Sequence, residues 1–155
     1  MKGALLIAFG ALLQVVLGCA VPSAWLVPDL LLACLAVAVS REAESRVALA
    51  VWAALLASLF SARQPAMVAG AYLAAGWGII YVASLWDLTA VSVQRAAVGF
   101  MEACLTAVWI LPQLAQGQIM GLAGSGSAKI VVTILCLPLV RRLSRWVWRD
   151  VAASP

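Results

Sequence analysis

Few residues in this chain are equipped for chemistry. Six acids and ten bases are spread over 155 residues, and there is no histidine. The commonest general base and the commonest metal ligand are therefore missing. Glu102 is the only acid well inside an apolar segment. Burying its charge in a bilayer costs about 2.5–3.5 kcal/mol on insertion scales. The residue is expected to face the interior of a helix bundle, to take up a proton, or to pair, with Thr106 or Gln14 as candidate partners. A proton site, a ligand contact and a contact with a partner helix are its functional readings. A polar fixture joining helices is the structural one.

Asp29 is the second candidate. It follows Pro28 and precedes the apolar run 30–39, which the charged stretch Arg41 to Arg46 closes. Ten apolar residues are too few to cross a bilayer, which takes about 20. The span is therefore expected to begin near Ala24, with Asp29 in its first turn close to the outer surface. A helix start suits both residues: its free N–H groups and positive dipole favour an anion, and proline loses nothing there by lacking an N–H. Asp29 is read both as a helix cap and as a residue facing a partner or a pocket. On this layout Asp29 and Glu102 lie near opposite membrane faces, too far apart for the separations of about 5–10 Å that paired carboxylates use.

The C-terminal stretch holds Arg141, Arg142, Arg145, Trp146, Trp148 and Arg149. Indoles at headgroup level and guanidiniums on anionic lipid make it an interfacial helix. Nucleic-acid binding is not expected of a membrane-tethered segment with four arginines. Cys19, Cys34, Cys104 and Cys136 all sit in apolar segments without a close pair and are read as small buried hydrophobes. No nucleophile–base set, phosphate loop or metal cluster emerges, so neither an enzyme nor a cofactor is expected.

The elements that must hold these residues are membrane helices. The chain is 66% hydrophobic and 10% charged, against about 25% charged in soluble domains. The fold class is an all-α integral membrane protein, a bundle of about six transmembrane helices. A five-span reading, with the last segment interfacial, stays open. Helices are expected near 3–20, 24–40, 47–61, 66–86, 96–112 and 129–140. The glycine-rich stretch 113–128 reads as a loop. The first apolar run exceeds the 7–15 residues of a signal-peptide core, so an uncleaved helix is expected. Residues 1–140 form one bundle and 141–155 a basic, tryptophan-containing tail. Gly70, Ala74 and Gly78, four residues apart, form a small-residue stripe for helix packing or one wall of a groove. Trp25, Trp86 and Trp109 fall near span ends, as aromatic belts do. With six spans and a cytoplasmic N-terminus, eight basic residues lie inside and two, Arg63 and Lys129, outside. That bias puts both termini in the cytoplasm.

The stretch Pro28-Asp29-Leu30-Leu31-Leu32 opening the second span, the charged loop Arg41 to Arg46, the chain length and the topology resemble the rod shape-determining protein MreD family. The turn after the third span keeps a proline, Pro65. The resemblance implies a non-enzymatic scaffold of cell elongation in the bacterial cytoplasmic (inner) membrane. It would bind membrane lipids, an MreC-like bitopic partner and, through it, the RodA–transpeptidase pair that builds lateral peptidoglycan. It also implies a likeness in fold to the substrate-binding components of energy-coupling-factor vitamin transporters, with a central cavity. Asp29 is the family's Pro-Asp position. Two further functions stand beside this one. As a vitamin-type transporter component, the chain would line a pocket with Glu102 and Trp77. As an accessory subunit of a large energy-converting or pigment-bearing complex, it would pack around cofactors held by other chains.

Overall fold

The computed structural model describes residues 2–23, 26–61, 64–114 and 122–149, with side chains undescribed at 111–114, 122–125 and 149. Six α-helices follow one another: α1 (Lys2–Ala20), α2 (Leu30–Arg41), α3 (Arg46–Leu59), α4 (Pro65–Leu85), α5 (Val91–Leu114) and α6 (Leu122–Arg149). A single 3-10 turn, Ala43–Ser45, joins α2 to α3. Among the described residues three helices, α1, α4 and the Val91–Ile110 part of α5, are long and apolar enough to cross a membrane.

The short helix α2 is the axle of the bundle. It packs against each of the other five helices, and every residue from Leu30 to Val39 is buried. That explains its uniformly apolar sequence: no face of it meets solvent or lipid, so nothing in it needs to alternate. The expected helix from Ala24 is not found. Pro28 and Asp29 stand outside the helix, and α2 starts at Leu30. At 1.5 Å per residue its 12 residues reach only about 18 Å.

Successive helices alternate in direction. At one end Gly3 of α1 donates its N–H to Glu42 after α2, and the Trp52 indole of α3 donates to the Ala4 carbonyl. Arg141 of α6 reaches the Thr89 carbonyl between α4 and α5 at that same basic end. Close approach is made by small residues. Gly10 of α1 sits on Cys34 of α2, where a Cβ would come within 2.6 Å of its Sγ. Gly76 of α4 sits on Ala50 of α3, where a Cβ would come within 2.8 Å of its methyl.

Three expectations are corrected here. The Gly70-Ala74-Gly78 stripe is not the packing face of α4. Gly70 and Ala74 are exposed, and only Gly78 touches a neighbour, Met101. The buried face is Val68, Tyr72, Ala75, Gly76 and Ile79, one helical step round. Second, the glycine-rich segment is not a loop throughout, because α6 already starts at Leu122. Gly126 lies against Thr106 and Ile110 of α5, where a Cβ would come within 2.8 Å of the threonine. Its missing side chain serves helix contact rather than a turn. Third, the helix expected near 129–140 is longer at both ends, since α6 continues through Pro138 to Arg149. Its inner stripe, Thr133, Leu137, Val140 and Ser144, is buried throughout, at the spacing of three and four that one helix face requires. Cys19 and Cys104 are exposed rather than buried, while Cys34 is buried as expected. Trp25 lies outside the described residues.

Candidate functional site

The start of α2 is buried, so its free N–H groups need partners inside the protein. Each of the first four has one. Leu30 donates to the Pro28 carbonyl at 2.9 Å, and Ala33 to the Asp29 carbonyl at 3.1 Å. Leu31 donates to Gln14 Oε1 of α1 at 3.0 Å, and Leu32 to Asp29 Oδ1 at 2.9 Å. Asp29 is thus an N-cap, as one of its two readings had it. Its surroundings are the other half of the finding. Its own N–H donates to Thr133 Oγ1 of α6 at 2.9 Å, and the Tyr72 hydroxyl of α4 donates to its Oδ2. One residue ties together α2, α4 and α6.

Asp29 does not lie near the surface. It is 1% exposed. Tyr72 stands seven residues into α4, and Gln14 six residues before the end of α1. At 1.5 Å per residue both are about 10 Å from the helix ends. The layout that put Asp29 and Glu102 near opposite faces is overturned. Glu102 of α5 is fully buried and lies within electrostatic range of Asp29. Its Oε1 lies 3.2 Å from Lys129 Nζ of α6. Lys129 feels both carboxylates. The cause of the error is the length of α2. A full span would have carried Asp29 to the membrane edge, but a helix that starts part-way along the bundle carries it to the level of Glu102.

The result is a buried cluster of two carboxyls, one ammonium, a phenol and two threonines. Apart from the Lys129 ion pair, no donor among the described residues serves Glu102, and the Thr106 hydroxyl has no partner there either. The cluster sets two acids beside one ammonium, and the ammonium pairs with Glu102. Its chemical capacity is to hold a proton, or to receive a cation, beside a fixed ammonium. The expected partnership of Glu102 with Gln14 is not formed, since Gln14 Oε1 accepts from the Leu31 N–H.

A cavity of about 510 Å³ opens beside this cluster. Gln14, Ser61, Tyr72 and Lys129 are its polar lining residues, and Ala11, Leu31, Val68 and Trp109 are among its apolar ones. Neither Glu102 nor Trp77 lines it, contrary to expectation, and Trp77 is 54% exposed on the outside of α4.

The C-terminal arginines and tryptophans divide by helix face. Arg142, Arg145 and Trp146 are exposed, as an interfacial role requires. Trp148 packs against the core, and Arg141 turns inward to Thr89. The Arg149 side chain lies outside the described residues. Tyr72, Lys129 and Thr133 were not legible as site residues. The only signals were a lysine in an apolar stretch and a threonine four residues on, which share a helix face. Comparison with known proteins returns no match: no family model, no curated protein and no solved structure matches the chain.

Proposed function

We propose that the chain is a multi-pass protein of a bacterial cytoplasmic membrane, with both termini cytoplasmic, that acts as a non-enzymatic scaffold of the MreD kind. It would bind an MreC-like partner and, through it, the RodA–transpeptidase pair of lateral wall synthesis. The observation that supports this reading is the place of Pro28-Asp29-Leu30-Leu31-Leu32. The stretch that carries the resemblance is also the stretch around which the bundle is assembled, with Asp29 joined to three helices and the leucines in the centre. Such a residue holds a bundle in one shape, and a scaffold depends on its shape.

One observation favours a second reading, capture of a small molecule. The cavity of about 510 Å³ has the size of a ligand site and the right make-up, apolar walls with a few polar groups at one place. Its occupant would be amphipathic, and the chain would then resemble a transporter's substrate-binding component.

Affinity purification of the tagged full chain from its native host in mild detergent, followed by mass spectrometry, separates these readings. Recovery of MreC, RodA or a transpeptidase supports the scaffold, and Asp29→Ala should weaken that recovery. Recovery of an ATPase pair with a transmembrane coupling subunit overturns it in favour of ligand capture. Stoichiometric recovery of a pigment- or redox-bearing complex overturns both and makes the chain an accessory subunit.

A further inference from the structure

A second, smaller cavity lies at the opposite, basic end of the bundle, between the end of α2, the start of α5 and the C-terminal part of α6. Its volume is about 70 Å³, roughly the room of two waters at about 30 Å³ each or of one tetrahedral oxyanion. Arg41, Gln94 and Arg141 line it together with Ser40, Thr89 and Ser144. Among the described residues no acidic side chain does. Two acids at this end are engaged elsewhere: Glu42 accepts from Gly3 N at 2.7 Å, and Asp87 accepts from the Thr89 N–H and hydroxyl at 2.9 and 2.7 Å.

Two atoms here are orphaned. Arg141 Nη2 is anchored on the Thr89 carbonyl at 2.9 Å, while its Nη1 is buried without a partner among the described residues. Gln94 is 1% exposed, and its Oε1 is likewise buried and unpartnered. A buried guanidinium donor without an acceptor is costly, and an anion is what relieves it. A guanidinium also has the geometry for phosphate oxygens. The lone amide oxygen needs a donor, which a hydroxyl next to that phosphate supplies.

We propose that this cavity binds the phosphate of an anionic lipid headgroup, with Arg41 and Arg141 on the phosphate oxygens and Gln94 accepting from a headgroup hydroxyl. The source is a lipid rather than a free anion because the cavity lies at the level of the helix ends, where Lys2, Arg41, Arg46, Arg95 and the arginines of α6 gather. In a six-span chain that is the headgroup level of the cytoplasmic leaflet, where anionic lipid is attracted to basic residues. The inference does not depend on which partner the bundle serves. It assigns Arg141 a built site, distinct from the diffuse attraction of the exposed Arg142 and Arg145.

The test is native mass spectrometry of the full-length protein released from nanodiscs of mixed phosphatidylglycerol and phosphatidylcholine. Phosphatidylglycerol should be retained selectively. Arg141→Gln and Arg41→Gln should each lower its retention about fivefold; Gln94→Leu should lower it while both arginines stay in place. Arg142→Gln, on the exposed face, removes only diffuse attraction and should lower it clearly less than either cavity arginine does. Circular dichroism of each variant in neutral detergent identifies any that fails to fold, and the three cavity variants are read independently of one another. Equal retention of phosphatidylcholine, or an equal loss with Arg142→Gln, overturns the site. Displacement of the lipid by millimolar inorganic phosphate overturns the lipid assignment in favour of a soluble anion.

Discussion

Replacing Asp29 with alanine and with asparagine separates what its side chain does as an acceptor from what it does as a charge. In Asp29→Ala the Leu32 N–H loses its cap at 2.9 Å, which costs about 1 kcal/mol. The Tyr72 hydroxyl, in a residue 8% exposed, loses its acceptor, which costs about 1–3 kcal/mol for a buried polar group. The change also leaves Glu102 and Lys129 as a one-to-one pair, which recovers a part of the loss. The net is about 2–3 kcal/mol. For a chain of this size about 1 kcal/mol moves Tm by roughly 2–4 °C, so Asp29→Ala should unfold some 4–12 °C lower. Asp29→Asn keeps an oxygen for Leu32 and puts an amide beside the tyrosine oxygen, which can accept from it. It should lose less than about 1 kcal/mol. Thermal unfolding in one detergent, followed by circular dichroism, gives both numbers. The Tyr72→Phe variant closes a double-mutant cycle, with a coupling of about 0.5–3 kcal/mol expected for groups in contact. If alanine and asparagine are equally destabilising, or the cycle shows no coupling, the cap and the tyrosine bond are not what holds α2 in place.

Three further outcomes follow from the same contacts. Lys129→Met leaves two buried carboxyls without their cation and should destabilise by about 3 kcal/mol, whereas the double variant with Glu102→Gln should regain much of it in the same melt. Gly76→Ala pushes a methyl within 2.8 Å of Ala50 and should lower Tm, while Gly70→Ala, with nothing within 4 Å, should raise it by the helix preference of about 0.5–1 kcal/mol; equal effects would show that α3 and α4 are not in close contact. At the α4–α5 turn the Thr89 side chain and then its backbone N–H hold the Asp87 carboxyl below its ordinary value of 3.8. A depressed carboxyl stabilises above its unfolded value, so this turn should keep its structure at neutral pH and loosen as pH falls below 3.8. Amide hydrogen exchange at Thr89 reads it, and Thr89→Ala, which removes the hydroxyl but keeps the backbone N–H, should weaken the pH dependence.

Much of the bundle was legible because apolar length and breakers act locally. The bounds expected for α1, α3 and α4 agree with the structure to within two residues, since proline at Pro22 and Pro65 and charge at Arg41 to Arg46 interrupt apolar runs wherever they occur. Glycine misled at 113–128, because a glycine that opens a turn and one that lets two helices touch are the same residue in sequence. Gly126 became legible only when Thr106 stood opposite it. The small-residue stripe failed for a related reason. Small residues permit close packing on any helix face, and which face is turned inward depends on the neighbours. Gln64, with φ 53 before Pro65, takes a conformation that glycine adopts most easily, and nothing local announced it.

By itself the sequence determined that this is an apolar helical chain, and it offered, among its readings, Asp29 at a helix start, Glu102 facing the bundle interior, and the C-terminal arginines and tryptophans on a helix. Those follow from side-chain transfer energies and backbone valence, which each residue carries wherever it is placed. Only the tertiary structure decided that Asp29, Tyr72, Glu102, Lys129 and Thr133 meet. They come from four helices, and their meeting depends on α2 starting part-way along the bundle. A start at that depth is affordable only because Gln14, Asp29 and Pro28 supply the acceptors its N–H groups need. A buried helix end is stabilised by partners distant in sequence, and no reading of α2 alone contains them.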